Sequence, residues 1–107
     1  MIHALKILPE YFEAVIAGKK TFEIRENDRG FKVGDLLALN EWEDGLYTRN
    51  SCLVYVDYIL ESGYTEEGYV VMSIKPCSVY YHQEPVNQCK LTRDYSVPYA
   101  TRREDDG

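Results

Sequence analysis

The stretch Gly18-Lys19-Lys20-Thr21-Phe22-Glu23-Ile24-Arg25 gathers residue types that can do chemistry. Strand alternation puts Glu23 and Arg25 on one face, and Lys20, at the strand entrance, can reach over that same face. The expected product is two cations around one carboxylate. Lys20 and Arg25 can grip a phosphate, the arginine with a planar fork and the lysine as a compact charge. Glu23, an acceptor only when ionised, can take a hydrogen bond from an amino group on a nucleobase. The bland alternative is a Glu23–Arg25 pair on a wet strand face, which would contribute about 0–1 kcal/mol.

Other constellations carry less. Cys52, Cys77 and Cys89 are an odd number of thiols without CxxC spacing, which argues against a disulfide framework and suits a reducing, cytoplasmic setting. Cys77, His82 and Cys89 match no structural zinc spacing and lack a fourth ligand nearby, so no metal is expected. Gly30 and Gly34 stand alone, so there is no glycine loop to cradle a phosphate, and no cofactor is expected. His3 and His82 have no serine or cysteine motif beside them, which leaves a nucleophile triad unsupported; His3 reads as a structural histidine.

Periodicity gives the elements that must position the cluster. Ile2–Leu8 reads as a strand with His3, Leu5 and Ile7 on one side. Pro9 can open a helix, and Tyr11, Phe12, Val15 and Ile16 recur at helical spacing to about Ala17. Gly18 then ends it, as a residue that accepts the left-handed conformation. Thr21–Arg25 alternates as a second strand, with Phe22 and Ile24 opposite Glu23 and Arg25. Residues 26–30 form a turn by composition. Asp44-Gly45 signals a hairpin between Leu36–Trp42 and the next strand, Cys52–Leu60. Tyr69–Ile74 is the last core strand, and Lys75-Pro76 ends its pattern.

This order predicts an α+β, mainly β fold: a mostly antiparallel sheet curled into a small, partly open barrel with one helix packed against it. A chain of 107 residues fits one domain. Residues 1–75 form that domain. Residues 76–107 are polar and aperiodic, and read as an extension that wraps it or meets a partner, with Tyr80, Tyr81, Tyr95 and Tyr99 to bury.

The formal net charge is -6, from 12 Lys and Arg against 18 Asp and Glu, which opposes generic phosphate-backbone binding. The acidity is local: residues 37–70 hold seven acidic groups and one basic, whereas residues 1–36 hold six of each. A basic cleft near Lys19, Lys20, Arg25 and Arg29 is therefore compatible with an acidic body. No apolar run nears the roughly 20 residues that span a bilayer, and the N-terminus lacks a signal-peptide pattern. A cytoplasmic protein with no membrane partner is expected.

Gly18-x-Lys20-x-x-Glu23-x-Arg25 matches the G-x-K-x-x-E-x-R signature of ASCH domains, a PUA-like group. The flanking segments LKILPEYFEAV, RENDRGFKVGD, LLALNEW and GYVVMSI fit in register. Over about residues 2–75 the chain resembles the small ASCH-like subgroup of bacteria and their phages, often of unassigned function. The resemblance implies a PUA-like β-barrel with a side helix, and a cleft at the helix–strand junction that takes RNA or a nucleotide. By position, Lys20, Glu23 and Arg25 would line this cleft, and Gly18 would permit close backbone approach. Arg29, Tyr47, Thr48 and Arg49 would form its rim. Tyr47 could stack on a base, or simply be a half-buried hairpin tyrosine.

Some ASCH proteins are amidohydrolases that remove an acyl group from N4-acylated cytidine, using the motif lysine, a threonine and a glutamate from a longer insert. Lys20 matches the lysine, Glu23 stands in the threonine's place, and only Glu61–Gly68 separates the last two strands. No catalytic residue is therefore assigned; an enzyme of this kind would use Lys20 and Glu23. Three functions are compatible with the sequence. The first is an RNA- or nucleotide-binding module. The second is a phage-encoded acidic protein that blocks a basic, nucleic-acid-binding host or defence protein. The third is an amidohydrolase of N4-acylated cytidine-type nucleosides.

Overall fold

A computed structural model describes residues 1–61, 63 and 65–85. Its elements are β1 (Ile2–Ile7), α1 (Pro9–Ile16), β2 (Phe22–Glu26), β3 (Leu36–Glu43), β4 (Leu46–Glu61) and β5 (Tyr69–Tyr80). The strands form one five-stranded sheet in the order β1-β3-β4-β5-β2. Three pairings are antiparallel, as expected. The exception is β1 with β3, which is parallel because α1 and β2 intervene in the chain. The curled sheet and, among the described residues, its single helix are the mainly β, ASCH-like architecture that the sequence predicts.

The core lies inside the curl. Leu5 and Ile7 of β1, Leu37 and Leu39 of β3, Val54 and Val56 of β4, and Val70, Met72 and Ile74 of β5 meet there. The helix buries Phe12 and Val15 against them. Pro9 sits in its first turn, where a missing N–H costs nothing.

The two-residue turn between β3 and β4 has φ 52° at Asp44 and 84° at Gly45. Both are left-handed, as a type I′ hairpin turn requires, and Glu43 pairs directly with Leu46. That tight turn lets β4 start at Leu46, six residues before the start read from the apolar run.

β5 also departs from the sequence expectation. It does not stop at Ile74 but continues through Pro76 to Tyr80. Pro76 is tolerated for two reasons. β2 pairs with β5 only between Tyr69 and Ser73, so among the described residues the far side of β5 is unpaired at Pro76. The register with β4 also shifts between Leu53 and Val54, which places Pro76 at a bulge. The added segment brings Tyr80 over Ala38 and Leu53, where Ser78 donates a 2.8 Å hydrogen bond to its hydroxyl. The expected wrap by residues 86–107, with Cys89, Tyr95 and Tyr99, lies outside the described residues.

A buried polar cluster ties β1 to the turn before β3. His3 donates through Nε2 to Asp35 Oδ2 at 2.8 Å, and the Lys32 backbone N–H donates to the same oxygen at 2.9 Å. The N-terminal ammonium lies 3.3 Å from Oδ1. The His3 ring meets Phe31 edge-on, with centroids 4.7 Å apart. Burial pushes the Asp35 carboxyl up, but these hydrogen bonds outweigh it and hold the group below its ordinary 3.8.

A carboxyl depressed in the fold stabilises it above the unfolded value and loses that contribution as pH falls through the lower folded value. Asp35→Asn is therefore expected to cost about 1–3 kcal/mol at neutral pH. In urea unfolding, the gap to the parent protein should shrink in acid. A gap independent of pH would show that Asp35 acts by shape alone.

Candidate functional site

Helix α1 ends by folding its last N–H groups back. The amides of Lys19 and Lys20 both donate to the Ala14 carbonyl, at 2.9 and 3.0 Å, and Gly18 takes φ 77°. This reversal delivers Lys20 to the start of β2. The strand then runs with its alternation inverted: Glu23 is 3% exposed, whereas Phe22 and Ile24 are 43% and 54% exposed. Glu23 pairs with Met72 of β5, a residue of the core.

The two cations make this burial possible. Lys20 Nζ donates to Glu23 Oε2 at 2.7 Å, and Arg25 Nε donates to Oε1 at 2.9 Å. Lys20 also donates to the Phe22 carbonyl at 2.6 Å, with its ammonium 4.9 Å from the Phe22 ring and 5.8 Å from that of Tyr11. Both oxygens of the carboxylate thus have a charged donor, which a buried acid needs.

Arg25 does a second job. β1 and β2 are the two ends of the sheet order, and a seam lies between them. Arg25 Nη2 reaches across it to the Lys6 carbonyl at 2.9 Å, and Arg29 Nη1 reaches the Ala4 carbonyl at 2.9 Å. Alternate carbonyls on the free edge of β1 are thereby satisfied by guanidinium groups instead of a neighbouring strand.

An open hollow of about 500 Å³ lies at this seam. Its apolar walls are Ile7, Leu8, Tyr11, Phe22 and Ile24, and its charged groups are Lys6, Lys20, Glu23 and Arg25. A second hollow, about 320 Å³, adjoins it along Lys6 and Arg25 and adds Ala4, Arg29, Asn40 and Tyr47.

The structure brings Lys20, Glu23 and Arg25 together at the first hollow, and Arg29 and Tyr47 to the second. It takes the other expected residues elsewhere. Gly18 lines neither; it takes φ 77°, the left-handed conformation that ends the helix. Thr48 turns to Glu41, donating at 2.6 Å. Arg49, with φ 81°, directs its guanidinium to Glu84, at 3.5 Å, and to the His82 carbonyl, at 3.3 Å. Lys6, Tyr11 and the outward pair Phe22 and Ile24 line the first hollow without a motif that marks them in the sequence. Lys6 carries one trace, a charge inside the apolar run of β1.

Among the described residues no group of His, Cys, Asp and Glu could hold a metal ion. Burial pushes the Cys52 thiol far up and the Cys77 thiol up as well, so neither is poised as a thiolate nucleophile. No helix of the described residues is long and apolar enough to cross a membrane.

Residues 2–74 match the family described as a domain of unknown function, DUF3850. The chain is 34% identical over 71 residues to an uncharacterized 12.9 kDa protein in the GpA 3′ region of Escherichia phage P2. That match covers 66% of this chain and 65% of the phage protein, so the chain spans just under two thirds of its relative's length. Among solved structures, ASCH from Zymomonas mobilis is similar with a TM-score of 0.52 and 16% identity, covering 89% of this chain and 80% of that one. The S128A mutant of the Zymomonas mobilis protein gives 0.54 and 14%, covering 90% and 82%. The hypothetical protein PH0355 gives 0.50 and 23%, covering 71% and 99%. At these identities the likeness is one of fold.

The burial of Glu23 sets an order of costs. Glu23→Gln leaves two cations whose side chains are 18% and 25% exposed and can hydrate, so a loss of about 1–2 kcal/mol is expected. Removing both cations by Lys20→Ala with Arg25→Ala strands a carboxylate in the core, at about 3–5 kcal/mol. Adding Glu23→Gln to that double variant should then restore stability in urea unfolding. Simple additivity of the three changes would sink this account of the cluster.

Proposed function

This chain belongs to the DUF3850 family, a domain of unknown function, and has an ASCH-like fold; on that premise we propose that it is a binding module for RNA or a nucleotide. The observation that supports this most is the chemistry of the first hollow. Its walls are the flat or apolar side chains of Tyr11, Phe22, Leu8 and Ile24, and its polar groups are three cations and one fixed carboxylate. Such a lining suits a planar base with an anionic substituent. Glu23 receives one charged donor on each oxygen and keeps further lone pairs for an exocyclic amine or a ring N–H. Lys6, Lys20 and Arg25 supply positive charge for phosphate, concentrated at one place on a chain whose net charge is -6.

The two other functions have weaker support. Among the described residues lining its hollow, Lys20 has no threonine or serine and the one hydroxyl is that of Tyr11, so acyl transfer lacks support for its partner group. The acidic middle of the chain offers a basic protein less than its composition suggests, because Glu41 is buried and bound by Thr48 and Asn50.

Titration of ribonucleoside monophosphates and short single-stranded RNA, followed by NMR or calorimetry, tests the proposal. Lys20→Ala should weaken binding by about tenfold or more, the loss expected of one charge-assisted hydrogen bond, with the fold kept. Lys75→Ala, an exposed change away from both hollows, should bind as the parent does. Unchanged affinity in a folded Lys20→Ala protein would remove the first hollow from the site. Absence of binding by every probe would end the nucleotide reading.

A further inference from the structure

The second hollow has a composition that the first does not explain. Among the described residues its lining carries three cations, Lys6, Arg25 and Arg29, and no carboxylate. It also carries the ring of Tyr47, 41% exposed. Next to it, Lys6 Nζ sits 4.7 Å from the Trp42 ring centroid. Among the described residues the guanidinium of Arg29 makes one hydrogen bond, from Nη1 to the Ala4 carbonyl, which engages one of its five N–H donors. Arg25 is committed through Nε and Nη2 and keeps Nη1. Lys6 and Arg25 belong to both hollows, so the wall between them is cationic.

We infer that the two hollows hold successive nucleotides of a single strand, with the linking phosphate at the Lys6–Arg25 wall and the second base stacked on Tyr47. The inference rests on the nucleotide reading of the first hollow and narrows its ligand to a dinucleotide step or longer. A lone phosphate would fill only part of about 320 Å³ and would leave the Tyr47 face unused. A base followed by a phosphate uses both, since aromatic stacking and cationic contacts are how single strands are held. Nothing in this chemistry selects a sugar, so single-stranded RNA and DNA share it.

The test compares 5′-monophosphates with 5′-phosphorylated dinucleotides of the same base, for all four bases, in ribo and deoxyribo series. The expected result is a dinucleotide that binds about tenfold or more tighter than its mononucleotide, the size of one stacked base. Tyr47→Ala should bring that ratio close to one, and Tyr47→Phe should keep it. Arg29→Ala should lower the ratio and reduce the salt dependence of dinucleotide binding by about one phosphate contact. Mononucleotides that bind while dinucleotides gain nothing would overturn the inference and leave the first hollow's reading standing. A dinucleotide gain that neither variant reduces would overturn it too. Failure of all probes to bind would remove both readings together. The stronger of the two sugar series identifies the nucleic acid.

Discussion

A carboxylate held inside a protein must be matched by positive charge, and Glu23 is the group around which this fold is arranged. Leaving such an acid unpaired in the core costs several kcal/mol. Lys20 and Arg25 therefore have to converge on it, and β2 has to turn its charged side inward. The consequence appears on the other side of the strand. Phe22 and Ile24, which would ordinarily fill a core, are displaced to the surface. There they become walls of the hollow, so one buried charge creates both the polar floor and the apolar sides of the site.

The same cluster manages the barrel's weak point. A sheet with β1 and β2 at its ends exposes unpaired backbone groups that invite other strands. Here Arg25 and Arg29 donate to the Lys6 and Ala4 carbonyls, and the seam is joined by side chains. A guanidinium is suited to this because it has donors left after each bond it makes. A backbone ladder would have filled the gap; a side-chain junction leaves space at the surface lined by cations. The open barrel and the two adjoining hollows have one origin.

Charge is distributed to the same effect. Within the acidic middle third, Glu41 is turned inward and hydrogen-bonded to Thr48 and Asn50. Positive charge is gathered along the seam through Lys6, Lys20, Arg25 and Arg29. On the proposed nucleotide-binding role, an acidic body would repel polyanions in general while a cationic groove would admit a short stretch of one. The ASCH-like likenesses are of fold, and a fold carries many functions, so the functional reading stands on this groove's own chemistry.

Much of the architecture was written locally. Pro9 and Gly18 bracket the helix, Asp44-Gly45 sets the hairpin, and the spacing of Lys20, Glu23 and Arg25 announces that these three can meet. Each signal depends on residues a few positions apart, which share backbone geometry whatever the rest of the chain does. The tertiary structure alone decided which face of β2 turns inward, because alternation separates Phe22 from Glu23 without ranking them. It alone carried β5 past Pro76, since that depends on where β2 stops pairing. It alone set Lys6 and Ala4 opposite Arg25 and Arg29, 19 and 25 residues away in the chain, and directed Arg49 towards Glu84 and the His82 carbonyl. Those outcomes follow from which strands become neighbours when the sheet curls, a long-range choice that no short window of sequence records.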